Sequence, residues 1–214
     1  MLKKMPSFYA VVNVILFLLI IAGFSSRAAL HPQRMPPGRL TLYIHATTMF
    51  IWTALIVVQS ALINTRRYKL HMRLGWFGVG LAVVIVVSGV TMIVERNIRQ
   101  FSWIEVVTNS MNMLTFTILF ALAVWWRKNG GYHKRLMVFA TIALMIPALA
   151  RVSEAFIDEP FLATPMLLGL IALLPVYDWI TQRKITRASY IGIAVNLSTM
   201  VAQIATGFIS GEFV

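Results

Sequence analysis

The residues of this chain best suited to chemistry are two histidines in a repeated setting. "KLHMRLG" (Lys69 to Gly75) and "GYHKRLM" (Gly131 to Met137) share the pattern H-x-R-L, and the two histidines, His71 and His133, are sixty-two residues apart. Neutral imidazole ligates iron well, and paired histidines on facing helices are a common way for a helical bundle to hold haem. In that reading His71 and His133 are the axial metal ligands of a haem b, and Arg73 and Arg135 pair with its propionates. Leu74, Phe77, Leu136 and Phe139 would line the slot for the macrocycle. A plainer reading stands beside it: His, Lys and Arg suit a helix start at the headgroup layer, and duplication alone yields two matching histidines.

A second group of polar residues is expected at the other end of the same helices. His133 and Arg151 are eighteen residues apart, five helical turns, so they share a face about 27 Å apart. That is close to the hydrocarbon thickness of a bilayer, so Arg151 belongs at the opposite edge, with Glu154 one turn further on. His45, Asn109 and Asn112 are expected at similar depth. A histidine, an arginine and a carboxylate turned inward would bind an anion, a quinone oxygen or a proton. Snorkelling of residues near a helix end is the bland alternative.

The third feature is a stripe. Ser189, Gly192, Asn196, Thr199, Gln203, Thr206 and Ser210 recur at steps of three and four, with Ile, Val, Leu and Met opposite. In lipid such a stripe must face protein or a cavity. Close packing of small and amide residues explains it, and a water-filled path is the rival.

These residues sit in a chain made to live in a membrane. Its 214 residues are 59% hydrophobic and 12% charged, with a mean hydropathy of +0.78, whereas a soluble domain carries about 25% charged residues. Apolar runs of bilayer length occur seven times, at about 8–24, 40–63, 74–94, 104–126, 136–150, 161–180 and 189–209. The expected fold is all-α, a single integral domain formed as a bundle of seven transmembrane helices. The first run has Lys3 and Lys4 ahead of it, as a signal peptide does, but it is long and "SSRAAL" is a poor cleavage site, so it reads as a retained helix. Pro147 and Pro175 in the fifth and sixth runs free the carbonyls of Ala143 and Ile171.

Charge sets the orientation. With the N-terminus inside, thirteen of the nineteen Lys and Arg fall on the cytoplasmic side, at positions 3, 4, 66, 67, 69, 73, 127, 128, 134, 135, 183, 184 and 187. Six of the seven acids (Glu95, Glu105, Glu154, Asp158, Glu159, Glu212) fall outside, and only Asp178 falls inside. The expectation is a bacterial cytoplasmic-membrane protein with N-terminus in and C-terminus out. The net charge of +12 then faces anionic lipid headgroups, and nucleic acid is not needed to explain it. Trp76, Trp103, Trp125, Trp126 and Trp179 lie near run ends, as an interfacial belt does.

The chain also repeats. "INTRRYKLHMRLGWFGVGLAVV" aligns at the same offset of sixty-two with "WWRKNGGYHKRLMVFATIALMI". The offset spans two helices, so the units are parallel and both H-x-R-L motifs belong at the same membrane depth. "IHATTMFIWTALIVVQSALINTRRYKLHMRLG", followed by "HKRLMVFATIALMIPALARV", resembles an uncharacterised bacterial multi-pass membrane-protein family, one of the domains of unknown function. The resemblance covers roughly Ile44 to Val152 and implies a class, not a mechanism. A more distant likeness is to transmembrane cytochromes b, whose four core helices each give one His, pairing second with fourth and third with fifth. Here His45, His71 and His133 fall on the second, third and fifth runs, while the fourth offers Asn109 and Asn112. That departure leaves at most the third–fifth pair.

Enzyme signatures are missing: there is no G-x-G-x-x-G, phosphate loop, H-E-x-x-H or nucleophile elbow. The seventh run has no Lys for a retinal Schiff base. The leading expectation is a haem-b or quinone-linked redox protein. The other is a non-catalytic membrane protein, either a small transporter or an assembly partner of another membrane protein.

Overall fold

A computed structural model describes residues 7–34, 38–157 and 162–209 of the chain. Lys3, Lys4, Asp158, Glu159, Ser210 and Glu212, and the start of the sixth run at Phe161, lie outside the described residues.

The described residues form eight α-helices and one short 3-10 turn, with no strand. They are α1 (Phe8–Leu30), α2 (Leu40–Asn64), α3 (Tyr68–Arg99), α4 (Trp103–Trp125), α5 (Gly130–Ala143), α6 (Ile146–Ile157), α7 (Ala163–Gln182) and α8 (Arg187–Ile209). Six of these are long and apolar enough to cross a membrane, and α5 with α6 makes a seventh candidate if the bent pair is one span. Exposed apolar side chains run along most of them, Leu18, Val58, Val87, Val176 and Val201 among them. That surface suits lipid, where every backbone group must be satisfied within the helix.

Local chemistry fixes several helix ends. Ser7 caps α1 by accepting from the Ala10 N–H, and Ser102 caps α4 by accepting from the Glu105 N–H. Asn129 caps α5 through the N–H groups of Gly131 and Tyr132. Each side-chain oxygen satisfies a first-turn donor that the helix itself cannot. The turn from α2 to α3 needs Arg66 at φ 59°, and α7 ends on Arg183 at φ 56°. Both H-x-R-L motifs lie inside helices: α3 and α5 begin several residues before their apolar runs, so His71 and His133 occupy first turns.

The fifth run departs from its expected form. A single helix over 136–150 was expected, and two helices are found, bent by 53° at a break of residues 144–145. Pro147 has no N–H for the Ala143 carbonyl, and its ring would collide with it in a continuous helix. The chain crosses the break with tighter bonds instead, Leu144 N–H to Thr141 O at 3.1 Å and Met145 N–H to Ile142 O at 2.9 Å. Pro175, by contrast, sits inside an unbroken α7.

The broken pair is the centre of the molecule. Leu136, Phe139, Ala140, Ile142, Met145 and Leu149 are all shut off from solvent. α1 packs along α6, α4 and α8 flank α5, and α7 touches both halves. Contact with α1 is intimate: a Cβ on Gly23 would lie 2.4 Å from the Ala148 carbonyl oxygen, so only glycine allows this approach. Trp52 of α2 is buried against Phe116 and Phe120, with its indole N–H donating to the Thr141 hydroxyl at 3.3 Å.

Candidate functional site

The hairpins α2–α3, α4–α5 and α7–α8 all turn at one end of the bundle, here termed the basic end, where Arg66, Arg67, Lys69, Arg73, Arg127, Lys128, Lys134, Arg183, Lys184 and Arg187 gather. Its most enclosed feature is an ion pair. Arg135, in the second turn of α5, is 6% exposed at its side chain, and Asp178, near the end of α7, is 0% exposed. Arg135 Nε donates to Oδ1 of Asp178 at 3.1 Å and its Nη2 to the same oxygen, while Nη1 donates to the Gly131 carbonyl at 3.0 Å. Oδ2 accepts from the hydroxyls of Thr186 (2.7 Å) and Ser189 (2.6 Å) and from the Thr186 N–H (3.2 Å). A buried carboxylate is tolerated only when its lone pairs are so matched. Tyr9 of α1 covers the pair, with its ring beneath Lys134 Nζ (4.5 Å) and the Arg135 guanidinium (5.8 Å).

His71 and His133 do come together. Their ring centroids are 6.3 Å apart and the ring planes are near perpendicular at 87°. Nδ1 of His133 is 2.8 Å from the Ala123 carbonyl, so that nitrogen carries a proton and donates it to the carbonyl. Nδ1 of His71 is shielded from solvent and has no hydrogen-bond partner.

Haem b does not fit here. The rings meet edge to face with no slot between them. Phe139 lies flat on Gly192, where an added Cβ would be 2.0 Å from the ring, and Leu136 is equally enclosed, so neither lines a gap. Phe77 is turned outward and 53% exposed. Arg135 is held by Asp178, away from any propionate, and Arg73 is exposed beside Lys69, Met72 and Trp76 in an open surface groove. Among the described residues no three His, Asp or Glu converge to hold a metal ion.

The polar residues expected at the opposite end are not one site but three. His45 of α2 pairs through Nδ1 with the Ser88 hydroxyl of α3 at 2.9 Å. Asn112 of α4 accepts from Gln203 of α8 at 3.0 Å, and Asn109 turns back to the Glu105 carbonyl of its own helix. Arg151 donates to the Pro147 carbonyl of its own helix and stacks 4.5 Å over Phe24. Glu154 bonds Arg27 of α1 at 2.9 Å. Equal depth on the spans did not bring His45 and Arg151 together, because α1 packs against both α2 and α6.

The stripe on α8 faces protein. Ser189 and Asn196 are buried, Thr199 bonds the Thr115 hydroxyl of α4 at 2.9 Å, and Asn196 donates to the Gly192 carbonyl. Phe139 fills the step at Gly192, so packing explains the stripe here.

Two partners escaped the reading of the sequence, Asp178 for Arg135 and Arg27 for Glu154. The signal for the first was present, since Asp178 is the lone acid among basic loops. No family model, curated protein or solved structure matches this chain.

Proposed function

We propose that this is a small membrane transport protein in which the broken span α5–α6 is the moving element. The observation that carries this reading is that the span is broken at its buried middle and tied at each half to a different helix. Arg135 of α5 is held to α7 by Asp178, and Glu154 of α6 is held to α1 by Arg27. Non-helical backbone at membrane depth is tolerated where it is enclosed by protein or lines a cavity, and broken helices are the usual seat of alternating access. Two ion pairs at opposite ends of one bent span are suited to act as alternate latches, one released while the other holds. With the basic end in the cytoplasm, as the bias of Lys and Arg favours, the Arg135–Asp178 latch is the inner one. A passage opened at the break would be lined by Ile142, Leu144, Met145 and Leu149. That lining suits an apolar or amphipathic cargo, a quinone or lipid-like molecule, over a hydrated ion. The redox reading has less support, since a haem does not fit between the contacting rings.

The chain has no cysteine, so access to the break can be read with a single probe. Met145→Cys is expected to resist a membrane-impermeant thiol reagent in the otherwise native protein. In Asp178→Asn it is expected to react from the basic side, and in Glu154→Gln from the opposite side. Equal protection in all three backgrounds ends the proposal.

A further inference from the structure

We infer that the outward face of α3 at the basic end, at Lys69, Arg73 and Trp76, is a binding site for one anionic phospholipid, independent of the transport reading. An open groove of about 270 Å³ lies there, lined by Lys69, Met72, Arg73 and Trp76. Lys69 and Arg73 are one helical turn apart, so their charges fall on the same side of the helix. Both are exposed, and neither has a hydrogen-bond or ion-pair partner among the described residues. Trp76 follows three residues on and is 67% exposed.

No carboxylate of the protein is free to answer these two cations. Of the acids among the described residues, Asp178 alone stands at this end, and Arg135, Thr186 and Ser189 take it up. The internal repeat makes the contrast direct, since Arg135 is the counterpart of Arg73 at the offset of sixty-two. In α5 that arginine turns inward to a protein carboxylate, and in α3 it faces the membrane. The anions a bilayer offers at that depth are lipid phosphates, which basic pockets at helix ends are suited to hold.

Depth agrees with that assignment. α3 has 32 residues, which makes it about 48 Å long, against a hydrocarbon layer of about 30 Å. Centred in that layer, the helix extends about 9 Å beyond it at each end, so the layer begins near Leu74. Lys69 and Arg73 then lie among the headgroups, and Trp76 lies just below them, where an amphipathic ring is at home. Further along the same face Val83 and Val87 are exposed, and a side chain at Gly80 would meet no atom. That leaves a notch below the indole for an acyl chain. Phosphate, glycerol ester and acyl chain each meet a matching part of α3, in the order in which a phospholipid presents them. Inorganic phosphate would use only the first.

The test reconstitutes the full chain in phosphatidylcholine vesicles with a minor fraction of phosphatidylglycerol, and brominates the acyl chains of one lipid or the other. Bromine quenches tryptophan on contact, and the share due to Trp76 is the difference between the native chain and Trp76→Phe. Per mole of brominated lipid, that share is expected to be larger for phosphatidylglycerol by about fivefold for each cation engaged. Lys69→Gln combined with Arg73→Gln is expected to abolish the preference, and Arg73→Lys to keep most of it. Lys184→Gln combined with Arg187→Gln removes the same charge from the same end and is expected to leave it unchanged. A preference that survives the loss of Lys69 and Arg73 overturns the inference, and so does one lost equally in both double variants. Displacement by inorganic phosphate at constant ionic strength overturns it in favour of a soluble anion. Absence of Trp76 quenching by either lipid overturns it too, since the face would then be covered, as by a second copy of the chain.

Discussion

Arg135 and Asp178, forty-three residues apart in sequence, form a bidentate ion pair at which the carboxylate has no contact with solvent. The pair joins α5 to α7, and the Thr186 and Ser189 hydroxyls extend it to the start of α8. Three helices therefore converge on one carboxylate at the basic end. Removing one partner leaves an enclosed charge unmatched, which costs about 3–5 kcal/mol. Arg135→Met and Asp178→Leu are each expected to destabilise by that order, and the double variant by clearly less than their sum. Unfolding by denaturant in detergent micelles measures this, and simple additivity would show that the two residues are not coupled.

The fit of Phe139 to Gly192 gives a second expectation. An added Cβ at Gly192 would fall 2.0 Å from the ring, so Gly192→Ala forces α8 away from α5. Overpacking of this kind costs about 1–3 kcal/mol. The obstacle is a side chain, so trimming it provides rescue: Phe139→Leu is expected to recover part of the loss in the double variant. Lack of any recovery would mean that the backbone, not the ring, is the limit.

These contacts mark what a sequence of this kind discloses. The long apolar runs made the helical bundle legible, and the parallel repeat led to His71 and His133 at one depth. The starts of α1, α2 and α4 fall where the runs begin, but those of α3 and α5 were missed by six residues because apolarity reports burial in lipid, while helicity extends into the polar turns that carry both histidines. The break at Leu144 and Met145 was illegible, since the run from Leu136 to Ala150 reads as continuous. Pro147 alone does not announce a break when Pro175 causes none. Depth can be counted along a helix, but direction around the bundle cannot. Hence His45, Arg151 and Asn112, expected together, face Ser88, Phe24 and Gln203 on different helices.

Orientation has a direct check. Single cysteines at Gly130, the first residue of α5, and at Gln100, in the α3–α4 connection, lie at opposite ends of the bundle. The bias of Lys and Arg predicts that an impermeant maleimide labels Gln100→Cys in intact cells and reaches Gly130→Cys only after lysis. The reverse pattern would invert the protein in the membrane and exchange the inner and outer latches.

The contact between α1 and α6 should prove less forgiving than that between α5 and α8. At Gly23 the atom in the way is the carbonyl oxygen of Ala148, 2.4 Å from the Cβ position. No rotamer relieves a backbone collision, so the helices themselves must separate. Arg27 lies one turn along α1 from Gly23, and its bond to Glu154 depends on that approach. Gly23→Ala is therefore expected to weaken the Arg27–Glu154 pair as well as the packing, and no truncation on α6 should rescue it, because even glycine at 148 keeps the carbonyl. In the Met145→Cys background it is expected to raise labelling from the end opposite the basic loops, as Glu154→Gln does. Combining Gly23→Ala with Glu154→Gln should then add little further labelling, since both release the same latch. Independent, multiplying increases would show that α1 bears on the break by a route other than this ion pair.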